Sequence, residues 1–214
     1  STAVRVKHVG EAKSAKEVEV AYARDGKVYT VRGANCVLAC WHVVIPYICE
    51  ELPEAQKKAL SDAAKVPIVY TNVLLRNWKA FEKLGVSSVS APGGDFSSVQ
   101  LDMPVSMGGY ECAKSPEEPV VVHMMRTPCR PGHSGREQHL AGRMELFRTP
   151  FETFERNIRE QLGRTLSGGG FDPAREIAGI TVNRWPHGYA YQYNSIYDRY
   201  WLEGGELPCE AARK

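Results

Sequence analysis

Long apolar runs are missing from this sequence. The longest, Cys36–Trp41 and Pro119–Met125, fall far short of the ~20 residues a membrane-spanning helix needs. The opening stretch Ser1-Thr2-Ala3-Val4-Arg5 lacks a basic segment followed by an apolar one, so no signal peptide is expected. An excess of one charge is missing too. The chain has 27 basic and 25 acidic residues and a net charge of +2, with neither sign gathered into a block. That balance argues against nucleic acid or a polybasic membrane surface as a partner. Cysteine is sparse: six in 214 residues cannot make a disulfide scaffold, and no two are spaced Cys-x-x-Cys. Cys36 and Cys40 lie in an apolar run, which predicts buried free thiols. A compartment, cytoplasmic or periplasmic, is not fixed by this pattern. Phosphate-binding glycine motifs are absent as well. The triple glycine at 168–170 runs into Phe171-Asp172-Pro173 and opens no P-loop or dinucleotide turn.

What is present suffices for a core. Hydrophobic residues make up 43% and aromatics 9%, in a chain long enough for one large domain or two small ones. Alternation of apolar and polar residues predicts strands over 3–9, 17–23 and 27–32, the last two joined by the hairpin pair Asp25-Gly26. The uniformly apolar Cys36–Trp41 predicts a strand covered on both faces. Pro53 opens a helix, Val66–Leu75 is a strand, and Asn77–Leu84 forms a short helix ended by Gly85. Residues 86–118 give no clear element, while 120–125 form another strand. Ser134 with Glu137 and Thr149 with Glu152 fit capping boxes for two helices. Phe151, Phe154, Ile158, Leu162 and Leu166 line one face of the second helix. Ile177–Arg184 alternates as a strand, and no element is expected after Glu203. The sum is an α+β fold: a mixed or antiparallel sheet backed by helices at 134–147 and 150–167, with a small β meander at 1–41.

Few groupings carry chemistry. Gly132-His133-Ser134-Gly135 lacks the glycine a serine-nucleophile elbow needs at Arg136, and Cys129, His133 and His139 fit no zinc spacing, so no metal site is expected. The densest aromatic cluster runs from Trp185 through His187, Tyr189, Tyr191 and Tyr193. On a strand the tyrosines share a face, which either packs against helices or forms an aromatic cage for an amine or a flat ring. His42 follows Trp41 at the end of an expected buried strand, where α/β proteins meet their ligands.

Taken in order, these segments resemble the flavin-dependent amine oxidase superfamily, in particular bacterial spermidine dehydrogenase-like enzymes. Ala34-Asn35-Cys36-Val37-Leu38-Ala39-Cys40 is similar to the strand that leaves the family's flavin domain. Lys65-Val66, leading to Trp78, is similar to its Lys…Phe-Trp segment. Trp185-Pro186-His187-Gly188-Tyr189 resembles the Trp…Gly-Tyr stretch of its substrate cavity. The family's glycine-rich flavin-phosphate motif and its second flavin-binding segment have no counterpart here. The resemblance therefore implies a middle piece: residues 1–45 as an edge of the flavin domain and 46–214 as the substrate domain. It implies FAD as cofactor of the complete enzyme, a small amine as substrate, and a complementary flavin-domain chain as a partner. Hydride would pass from the amine α-carbon to the flavin, and the resulting imine would hydrolyse to an aldehyde. By resemblance Lys65 is the catalytic lysine, Val6, Trp41 and His42 meet the cofactor, and Trp185, His187, Tyr189 and Tyr191 meet the substrate. The piece alone is expected neither to hold FAD tightly nor to turn over. The alternative is a substrate-domain remnant that binds a ligand or partner without catalysis.

Overall fold

The structure, a computed structural model, describes residues 1–188 and 208–213. The chain divides into two units. The first comprises residues 1–65, 134–136 and 189–214, and the second comprises 66–133 and 137–188.

Strands β1 (Thr2–His8), β2 (Val18–Arg24) and β3 (Lys27–Gly33) of the first unit form the expected antiparallel meander. Its hairpin turns on Asp25 and Gly26, at φ 50° and 73°, the left-handed pair that matches the twist of the strands. Only Val6 and Ala21 are buried in this sheet. A second cluster joins Ile45 and Cys49, at the α1 (Ile45–Ile48) turn, to Leu60 of α2 (Glu54–Asp62). Three expectations fail here. Residues 36–41 form no strand: they leave β3 through Gly33-Ala34-Asn35 and pair with no strand among the described residues. Val37 is 87% exposed, because an apolar run is buried only where a sheet offers it an edge. The thiols follow suit, since Cys49 is buried whereas Cys36, Cys40 and Cys129 are exposed. A short helix, α7 (Pro208–Ala211), also stands in the tail where none was expected.

The second unit is one five-stranded antiparallel sheet in the order β5-β6-β7-β4-β8, with β4 (Ile68–Leu75) and β7 (Val120–Arg126) inside it. Strand β8 (Ile177–Trp185) closes one side, as its alternation predicted. The short β5 (Ser88–Ser90) and β6 (Ser98–Leu101) come from the stretch the sequence left unassigned. Helices α3 (Lys79–Leu84), α4 (Gly135–Arg148), α5 (Phe151–Leu166) and α6 (Pro173–Glu176) accompany it. Gly85 ends α3 in the left-handed conformation (φ 66°).

The apolar stripe of α5 makes the core. Phe154, Ile158, Leu162 and Leu166 pack with Val69, Val73, Leu75, Val122 and Met124 of the sheet. Phe151, expected in the stripe, is 41% exposed because it starts the helix beyond the sheet-covered turns. Helix α4 is pressed so close to the loop after β7 that a Cβ at Gly142 would lie 1.9 Å from the Pro128 oxygen. The second capping box is not made. Pro150 caps α5 without a side-chain bond, and the Thr149 hydroxyl instead donates to the Glu145 carbonyl (2.8 Å) at the end of α4. Among the described residues no helix is long and apolar enough to cross a membrane.

Candidate functional site

Strand alternation gives the sheet of the second unit two unlike faces. On β4, Val69, Thr71, Val73 and Leu75 are fully buried toward the helices. Buried Thr71 satisfies its hydroxyl by donating to the Met124 carbonyl (3.2 Å). Tyr70, Asn72 and Leu74 point the other way, to a face with partial solvent access. The register aligns Thr181 (β8), Asn72 (β4), His123 (β7) and Gln100 (β6) in one row across that face.

The row is hydrogen-bonded. The Asn72 amide donates to Thr181 Oγ1 (3.3 Å), its oxygen lies 2.8 Å from His123 Nδ1, and His123 Nε2 lies 3.0 Å from Asp102 Oδ1. Whichever way the Asn72 amide is turned, a carboxylate can only accept, so Nε2 is the nitrogen that donates to Asp102. Tyr70 stacks on the imidazole, with centroids 5.3 Å apart and planes at 29°. The ring of His123 is thus held at both nitrogens and on one face.

Asp102 marks the other end of the row. Its Oδ1 accepts from both His123 and the Met103 N–H (2.9 Å), while Oδ2 has no partner among the described residues. The same carboxylate borders a cavity of about 320 Å³ walled by Trp78, Leu101, Met103, Tyr110 and Val120. A carboxylate residue in the lining of an apolar, aromatic-walled space suits an ammonium group, through a charge-assisted bond on one side and ring faces on the other.

The residues singled out in the sequence are dispersed. Trp185 pairs with Ile68 at the end of β8, on the open face with Asn183 and Tyr70, and is 56% exposed. Its neighbour Arg184 points to the helices, donating to the Thr149 carbonyl (3.0 Å) and lying over the Phe154 ring. His187 is half-buried in the segment after β8. That segment is pinned by the Gly188 N–H to the Val66 carbonyl (2.8 Å), where a Cβ would meet Ile68 at 2.4 Å. Tyr189 and Tyr191 lie outside the described residues. Lys65 is half-buried in the link before β4. In the first unit Val6 is buried on β1 opposite Val20, and Trp41 precedes the short 3-10 turn His42–Val44, where His42 is exposed. Sequence reading missed Tyr70, Asn72, Asp102 and His123. The available signal was a polar residue breaking each apolar strand, Asn72 in Ile68–Leu75 and His123 in Val120–Met125.

The described residues do not fit the phosphate end of a flavin. That site needs a glycine-rich turn between a strand and a helix, but β4 enters α3 through Arg76-Asn77-Trp78, β7 enters α4 through a link in which Gly132 is the single glycine beside Pro128 and Pro131, and α2 and α5 start behind Pro53 and Pro150. Elsewhere the perturbed groups are local. Two donors from His8, its backbone N–H (3.0 Å) and its ring (2.7 Å), hold the Glu51 carboxyl below its usual range. Burial, aided by the Glu51 charge, pushes the Cys49 thiol up.

No family model and no curated protein matches the sequence. Among solved structures the chain is similar to cyclohexylamine oxidase from Brevibacterium oxydans IH-35A, with a TM-score of 0.55 and 10% identity over 86% of this chain and 33% of that one. It is also similar to a redesigned double mutant of putrescine oxidase, with a TM-score of 0.50 and 14% identity over 82% of this chain and 34% of the other. The architecture is therefore an α+β fold found in amine oxidases. At these identities the likeness is one of fold, and the chain spans about a third of each structure it matches.

Proposed function

We propose that this chain is the substrate-binding part of an FAD-dependent amine oxidoreductase acting on small, polyamine-like amines. In this reading 46–214 is the substrate domain, 1–45 borders the flavin domain, and the flavin phosphates are held by segments other than those described. One observation carries the reading. In a fold shared with amine oxidases, the sheet has helices on one face, while the other presents a fixed polar row ending at Asp102, which lines an aromatic-walled cavity.

The chain's own residues would bind and orient the amine. Asp102 Oδ2 would accept from the ammonium, with Trp78 and Tyr110 beside it. The Asn72–His123 bond and the Tyr70 stack keep the Asp102 carboxylate from rotating. Holding the amine in one orientation is the protein's share of such a reaction, the redox chemistry belonging to the cofactor. Trp185, His187, Tyr189 and Tyr191 would meet the substrate, Lys65 would serve as the catalytic lysine, and Val6, Trp41 and His42 would meet the cofactor.

The test is steady-state kinetics on the flavin-loaded protein from the complete reading frame. Asp102→Asn removes the charge and keeps the shape. A charge-assisted bond of ~1.5–3 kcal/mol corresponds to a fall of roughly tenfold or more in kcat/KM for a diamine. Flavin content should not change. Equal kcat/KM in the variant would remove Asp102 from the site, and an inert flavin-loaded protein would favour the non-catalytic remnant.

A further inference from the structure

The junction of α4 and α5 holds a second cavity, of about 590 Å³, on which the amine reading places no demand. Its lining includes the apolar Ala141 and Met144 together with Arg130, His133 and Arg148. Among the described residues neither guanidinium has an ion-pair or hydrogen-bond partner, and the hydroxyl of Thr153, also in the lining, has none.

The two helix ends bear on the local field. A helix end normally offsets the charge of the next helix start, carbonyls against N–H groups. Here the Glu145 carbonyl, in the last turn of α4, is occupied, and so is that of Thr149 just beyond the helix. Glu145 oxygen accepts the Thr149 N–H (3.0 Å) and hydroxyl (2.8 Å), and Thr149 oxygen accepts Arg184 (3.0 Å). The start of α5, by contrast, is capped by Pro150 with no side-chain bond. Two carboxylates are near. Glu145 lines the cavity but is bound to Arg126, and exposed Glu152 stands in the first turn of α5 outside the lining. The corner therefore combines two unpaired guanidiniums, an imidazole, a free hydroxyl and apolar lining residues.

We propose that this corner binds a phosphate-type oxyanion, with Arg130 and Arg148 as the principal donors and Thr153 as a third. Guanidinium forks match tetrahedral oxyanions in geometry as well as charge. The apolar part of the lining favours a phosphate monoester with a carbon body over free phosphate.

Isothermal titration of the 214-residue chain with inorganic phosphate and with phenyl phosphate tests this. Saturable binding is expected, tighter for phenyl phosphate, and weakened tenfold or more by Arg130→Ala or Arg148→Ala. Arg156→Ala, an exposed arginine further along α5, should leave it unchanged. Binding of both probes alike still supports the site and points to free phosphate. Should an arginine variant fail to fold, the wild-type side-chain N–H resonances serve instead, those of Arg130 and Arg148 shifting with phosphate while that of Arg156 stays. Absence of saturable binding, or an Arg156→Ala effect equal to that of Arg148→Ala, would overturn the proposal.

Discussion

Gln161 shows how one side chain can hold a segment that no pattern announces. It is 3% exposed on α5, and its amide accepts from the Phe96 N–H (2.9 Å) and donates to the Phe96 carbonyl (2.7 Å). Gln161→Leu leaves both backbone groups unpaired in the core, at about 1–3 kcal/mol each, so chemical denaturation should show a loss of at least ~2 kcal/mol. Glu51 gives a pH signature. Its folded pKa lies below the unfolded one, so its contribution is present above the usual carboxylate range and lost as pH falls through it. Glu51→Gln should flatten that part of the stability–pH curve, and an unchanged acid limb would contradict the His8–Glu51 clamp. The thiols give a third check. Iodoacetamide should label Cys36, Cys40 and Cys129 before Cys49, which is buried with its pKa raised. None of these residue-level facts was legible in the sequence: Gln161 and Glu51 each depend on a partner tens of positions away, and the thiols depend on which of them the fold covers.

At the scale of elements, legibility followed periodicity. The Asp25-Gly26 hairpin, the α5 stripe and the alternation of β8 are local patterns, and all three form where expected. Phe154→Ala should cost ~3–5 kcal/mol, because the ring fills the space between α5 and the sheet. A cost below about 1 kcal/mol would mean the stripe does not face the sheet. Residues 36–41 and 86–101 show the limit. The first is apolar yet has no sheet edge to join, and the second makes strands of three and four residues, too short to display a period. Thr149 departs from the capping-box pattern for a similar reason. The hydroxyl had two backbone groups within reach, and the pattern cannot say that the Glu145 carbonyl wins.

At the scale of the whole molecule, the order of motifs pointed to the amine oxidase fold although no single motif was distinctive, and the shared architecture agrees. The polar row escaped notice because it crosses β8, β4 and β7, which lie far apart in sequence. Equilibrium dialysis of the 214-residue chain with FAD should show no binding at micromolar concentrations, since no glycine-rich cradle stands among its described helix starts. Tight binding would mean that the chain holds a cradle elsewhere.

The central claim is that the cavity beside Asp102, at the end of the polar row, receives the amine. Its most direct test is anaerobic mixing of a diamine with the flavin-loaded protein from the complete reading frame, followed by flavin absorbance. The account predicts rapid bleaching in the wild type. It predicts bleaching at least roughly tenfold slower at limiting amine in Asp102→Asn and Trp185→Ala, with flavin content unchanged. Wild-type rates in both variants, or a flavin that no amine reduces, would contradict it.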